Sequence, residues 1–197
     1  MTLGMGQAGE RSALDPADAE ALRRAQGGDD AAFEELVSRY AGELYGLAFF
    51  LTGQASDAED VVQETLLGAY ERLAAFESRS SVKTWLSRIL VNQAARHHRS
   101  QRVRKAAQPL QLTAAAAELL QGAVAASPAA ASEIRMDVLD VIQTLRPEYR
   151  EIVVLRELQG LSYQQIAEVL SIPAGTVESR LFRARQDLKE LLKDYLA

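Results

Sequence analysis

A chain of 197 residues, 48% of them apolar, can bury one core or two small ones, and the absence of cysteine excludes disulfides, thiolate metal sites and thiol redox sensing within it. The apolar run Leu44 to Leu51 is far shorter than the roughly 20 residues of a membrane-spanning helix, and no secretory signal is recognisable, so a soluble, cytoplasmic protein without direct membrane insertion is expected. The net charge of −5 speaks against indiscriminate binding to nucleic acid, but residues 79–113 hold eight basic side chains and no acid, whereas residues 1–78 hold 15 acids against five bases.

Residues 1–16 are rich in Gly and Ala without periodicity, and disorder is expected there. Helical periodicity begins near Asp18 and runs to about Lys105, with breaks at Gly27-Gly28, Thr52-Gly53 and Ser78 to Ser81. Between Asp57 and Leu73, the side chains of Ala58, Val62, Leu66, Ala69 and Leu73 share one helical face and are expected to pack inward. Asp60, Gln63, Glu64, Leu67 and Glu71 share the other face. An acidic stripe around one apolar side chain fits either a solvated surface or a protein-docking patch.

In the helix after Ser81, Leu86, Leu90 and Ala94 point together, while Arg88, Asn92, Arg96 and Arg99 form the opposite stripe. Trp85, the only tryptophan, falls in that polar sector, where it can stack an unpaired base or close the edge of the core. His97 and His98 diverge by about 100° on a helix and cannot chelate one ion together. Asp57, Glu59, Asp60 and Glu64 lack the loop geometry of a calcium site. No cofactor, metal site or catalytic residue is assigned.

Residues 106–133 contain 12 alanines, Pro109 and Pro128, with only Glu118 and Glu133 charged, a composition that suits a linker. Within it, Thr113 to Gln121 can form a short helix ended by Gly122. Asp137 to Leu145 and Pro147 to Leu158 then read as two supporting helices. Ser162 and Gln165 form a capping box that opens a short helix, and Ser171-Ile172-Pro173 ends it. In the final helix Val177, Leu181, Ala184, Leu188 and Leu191 build one apolar face; Thr176, Ser179, Arg183 and Gln186 point the other way, with Arg180 on their flank. A short helix, a tight turn and an outward row of hydroxyls and guanidiniums is what reading a DNA major groove requires. No sustained period-two alternation occurs, so the expected fold is all-α: two small helical domains joined by a flexible linker, the C-terminal one containing a helix-turn-helix.

Thr144 to Leu188 resembles the C-terminal promoter-binding domain of bacterial RNA polymerase sigma factors, most of all the extracytoplasmic-function (ECF) subfamily. Asp57 to Phe76 and Trp85 to Lys105 resemble the other domain of the same group, in the expected order. The resemblance implies a first domain over 17–105, sigma region 2; a linker over 106–134; and a second domain over 135–197, sigma region 4. It implies docking on core RNA polymerase (β′ and β subunits) through Asp60, Gln63, Glu64, Leu67 and Glu71. It implies promoter DNA bound at the −10 element by Phe76, Arg79, Ser80, Lys83, Trp85, Arg88, Asn92, Arg96 and Arg99, with a base flipped into the loop Glu77 to Lys83. At the −35 element it implies Thr176, Ser179, Arg180 and Arg183. An anti-sigma factor is a further implied partner. With the helix-turn-helix so near Ala197, no C-terminal sensory domain is expected.

The resemblance is not uniform. Glu178 stands where the group usually has lysine, Arg96 where many members have aspartate, and Ser171 where a turn glycine is common. The linker is nearly neutral rather than acidic. The 28 residues 106–133 span roughly 30 Å as a coil and about 90–100 Å extended. Two promoter elements about two helical turns apart are separated by roughly 70 Å. The linker therefore bridges them only when something holds it stretched, and poor DNA affinity is expected of the free protein. Two other readings stay open from sequence: a stand-alone helix-turn-helix regulator, and a helical adaptor that binds protein and never touches DNA.

Overall fold

Helix boundaries in the computed structural model, which describes residues 14–107 and 139–193, fall where glycine, proline and capping side chains place them. Helix α1 (Pro16–Gln26) starts from the Asp15 side chain, which accepts from Ala17 N, and stops at Gly27. Asp29 caps α2 (Asp30–Thr52), which ends on Gly53 in the left-handed region at φ 80°. Helix α3 (Ala55–Arg72) runs into a 3₁₀ turn at Leu73–Ala75, and α4 (Val82–Ala107) follows a loop with Ser78 at φ 55°. In the second unit, α5 is described over 139–144, α6 is Pro147–Val153, a π-helical turn covers Val154–Leu158, and α7 (Tyr163–Leu170) and α8 (Ala174–Leu191) form the helix-turn-helix. The expected disordered N-terminal segment lies almost wholly outside the described residues, as does the linker with its short helix at Thr113 to Gln121.

All described elements are helical or turn, and every expected break lies between helices. In the first unit α2 packs on α1, α3 and α4, and α3 packs on α4. Ala58, Ala69 and Leu73 are buried as expected, but Val62 and Leu66 are only partly so. Val61, Thr65 and Gly68 are deeper, because α3 is covered by two helices and its buried face turns toward α4. Gly68 allows that approach: a Cβ there would come 2.8 Å from Arg72 Nη1 and 3.6 Å from Ile89 Cγ2. Asp18, buried in α1, holds the first helix to the second through Arg39 at 3.0 Å and the Tyr40 hydroxyl.

The two helical units do not stand apart. Helix α7 packs on α4, the π turn lies against α2, and one continuous apolar cluster runs from Ala21 to Ala184. Polar side chains of the second unit take up backbone carbonyls of α2. Gln143 Nε2 donates to Phe50 O at 2.8 Å, Arg150 Nη1 to Leu51 O at 3.2 Å, and Gln159 Nε2 to Glu43 O at 3.0 Å. Phe50 and Leu51 lie in the last turn of α2, where carbonyls have no partner within the helix and a cation meets the negative end of the dipole.

Candidate functional site: an acidic face and two basic helices

The carboxylates of α3 lie on the open side of the first unit because Ala58, Val61, Thr65 and Ala69 occupy the other. Asp60, Gln63, Glu64 and Glu71 are exposed, and Leu67 stands among them 61% exposed. Beside it Tyr70 is also exposed, its hydroxyl donating to Asp30 at 2.8 Å and its ring edge-on to Phe33.

The loop before α4 is pinned at both ends. Gln26 Nε2 donates to Leu73 O and Phe76 O, each at 2.9 Å, and Ser81 Oγ caps α4 by accepting from Thr84 N at 3.1 Å. Phe76 and Trp85, both half-buried, stack with centroids 4.5 Å apart and planes 27° from parallel. Of the two roles the sequence left open for Trp85, its place against Phe76 at the edge of the core is the one seen here, and part of the residue stays accessible. Ser80 is half-buried in the loop, and the exposed Arg79 pairs with Glu77 at 2.5 Å. Lys83 pairs with Glu43 at 2.6 Å and is only partly open.

Helices α2, α3 and α7 all pack on α4, and among the described residues Arg88, Asn92 and Arg99 stay exposed along it. Asn92 Nδ2 is tied to Arg88 O at 2.9 Å. Arg96 is exposed too, but it lies toward α3 and lines a depression there with Asp60, Glu64 and Leu67. His97 meets Asp57 at 3.3 Å in that seam, while His98 turns to Leu51 O at 3.0 Å, so the two rings diverge.

In the second unit the capping box is complete: Ser162 N donates to Gln165 Oε1 at 2.7 Å and Gln165 N to Ser162 Oγ at 3.2 Å. Ser171 ends α7 in the left-handed region at φ 54°, and Pro173 precedes the first turn of α8. Val177, Leu181 and Ala184 are buried and Leu188 partly so. Leu191, expected on that face, is instead exposed. Ser179 and Arg183 are exposed, and Thr176 and Arg180 are half-buried. Arg180 sits in the field of Glu151 on α6, whose carboxyl burial pushes above the usual range and Arg180 partly restores. Arg185 pairs with Glu157 at 2.7 Å and is thereby bound to the π turn.

Sequence reasoning missed Phe182. Its ring is 64% exposed beside Ser179 and Arg183 on the outward face of α8. The signal was available, since Phe182 lies off the face defined by Val177, Leu181 and Ala184.

Residues 36–104 match the family described as Sigma-70 region 2, and residues 135–188 match Sigma-70, region 4. Over 186 residues the chain is 38% identical to the RNA polymerase sigma-H factor of Pseudomonas aeruginosa, a match covering 91% of this chain and 95% of that protein. It is 36% identical over 172 residues to the ECF RNA polymerase sigma-E factor of Escherichia coli K12, covering 84% and 88%. Among solved structures, CnrH in complex with the cytosolic domain of CnrY is similar at TM-score 0.67 and 28% identity, over 91% of this chain and 99% of that one. RpoE in complex with the anti-sigma factor NepR from Bartonella quintana is similar at TM-score 0.62 and 28% identity, over 82% and 96%.

Proposed function

Since the chain belongs to the sigma-70 family as an extracytoplasmic-function (ECF) sigma factor, we propose how its exposed faces divide the work of promoter-specific initiation. Its partners are core RNA polymerase and promoter DNA, and an anti-sigma factor, such as the NepR found with RpoE, is a further partner. It carries out no chemistry of its own and acts in the cytoplasm.

The stripe Asp60, Gln63, Glu64, Leu67 and Glu71 docks on the polymerase, Leu67 as the apolar anchor and the carboxylates as complements to a basic surface. Residues 17–105 act as the −10 unit. Phe76 and Trp85 form a stacking platform for an unpaired base, Arg79 and Ser80 line its entrance, and Arg88, Asn92 and Arg99 hold the strand. Lys83 joins them once released from Glu43. Residues 135–197 act as the −35 unit, joined to the first by residues 106–134. There Thr176, Ser179 and Arg183 face the groove, Arg180 flanks them, and Phe182 supplies an apolar contact of the kind that thymine methyl groups accept.

One observation carries the reading: a single exposed leucine within a carboxylate row stands on the same unit as an open arginine strip and a Phe76–Trp85 stack. The contact of α7 with α4 adds a constraint. Packed helices lie about 8–10 Å apart, whereas the promoter elements are roughly 70 Å apart. The closed chain cannot read both, so the polymerase has to separate the units and stretch the linker. Gel filtration of the chain with core polymerase tests this. Co-elution is expected, and loss of co-elution for Leu67→Asp at unchanged helical content. Co-elution unaffected by Leu67→Asp overturns the docking assignment.

A further inference from the structure

The depression between α3 and α4 has Asp60, Glu64 and Leu67 on one wall and Arg96 and His97 on the other. It places a guanidinium from the row that the sequence assigns to DNA within the surface assigned to protein. Arg88, Asn92 and Arg99 do not line it. The neighbouring side chains of α4 are engaged with α3: Gln93 Nε2 donates to Glu64 O at 3.3 Å, and His97 meets Asp57 at 3.3 Å. Arg96 is thus carried on the edge of α4 that faces α3.

Among the described residues none of Asp60, Glu64 and Arg96 forms an ion pair. Opposite charges that line one depression without meeting each other remain available to a partner. Complementarity then requires that the partner carry both signs, with basic groups against Asp60 and Glu64 and a carboxylate against Arg96. We infer that Arg96 is a docking residue whose counterpart is an acidic group on core polymerase, and not part of the −10 row. The inference rests on the docking role proposed above for the Leu67 stripe. A guanidinium exposed at the rim of such a contact acts chiefly on association rate and salt dependence.

The test is equilibrium binding of core polymerase by the full chain and its Glu64→Lys, Arg96→Asp and Arg96→Gln variants at low and high salt, with helical content checked for each. Binding of the resulting holoenzymes to fork-junction DNA is the second readout. Arg96→Asp is expected to weaken core binding about tenfold and Arg96→Gln about threefold, each less at high salt, with fork binding by saturated holoenzyme retained. Core binding by Arg96→Asp that equals or exceeds the wild type overturns the inference. So does loss of fork binding with core binding intact, which returns Arg96 to the −10 row. Unchanged core binding by Glu64→Lys is a different failure: it removes the docking stripe itself.

Discussion

Gln143 Nε2 donates to the carbonyl of Phe50 at 2.8 Å, and its side chain fills the space beside Gly53, where a Cβ would come within 2.9 Å of Gln143 Cδ. One glutamine thus joins the second helical unit to the C-terminal cap of α2. With Arg150 on Leu51 O and the buried Gln159 on Glu43 O, it makes three polar ties across the seam. Each such bond contributes about 1 kcal/mol net.

The ties predict a chain that opens when they are cut. Because the protein has no cysteine, a single pair of labels can be placed through Ser100→Cys and Lys189→Cys. In that background Gln143→Ala combined with Gln159→Ala should shift the energy-transfer distance toward longer values at unchanged helical content. A distance distribution identical to the parent would show that the apolar contact of α7 with α4 closes the molecule without them.

The sequence was most legible where local chemistry decides the outcome. Gly27, Gly53, Pro147 and the Ser162–Gln165 box place the helix ends, and period 3.6 places Leu86, Leu90, Val177 and Leu181 inside. What stayed hidden is non-local. The union of the two units depends on backbone carbonyls of α2 and on side chains 93 to 116 residues further along, which no periodicity encodes. The π turn at Val154–Leu158, the pairing of Lys83 with Glu43 and the position of Arg96 against α3 were hidden for the same reason. Phe182 was legible and overlooked, since hydrophobicity suggests burial unless the helical face is plotted.

The Phe76–Trp85 stack predicts a loss specific to opened DNA. Trp85→Ala should weaken holoenzyme binding to fork-junction DNA by about 1–3 kcal/mol while leaving binding to a duplex −35 fragment unchanged. Trp85→Phe, which keeps a ring, should recover part of the loss. An equal loss on both DNAs would mean that the substitution acts through folding.

Ser171 holds φ 54° with an exposed side chain that no described contact requires. Ser171→Gly should stabilise the protein by about 0.5–1 kcal/mol, read as a higher urea midpoint at unchanged slope. A lower midpoint would mean that the entropy glycine adds to the unfolded chain outweighs the relieved strain.

Glu151 gives a pH signature. Burial raises its folded-state pKa above that of an ordinary glutamate, with Arg180 opposing. The cost of holding the carboxylate is therefore fully present above the folded pKa, and it disappears below the unfolded value, where both states are protonated. Glu151→Gln should raise the melting temperature at pH 7 and lose that advantage as the pH falls through the raised folded-state pKa and below the ordinary glutamate range. An advantage that persists there would place its origin in packing and not in the charge.

The central claim is that the chain confers promoter specificity on core polymerase, and sequencing the 5′ ends of transcripts made by core polymerase on genomic fragments, with and without the purified protein, tests it most directly. Discrete start sites that require the protein, and that weaken with Arg183→Ala or Trp85→Ala, are the predicted result. Transcripts indistinguishable from those of core polymerase alone would contradict it.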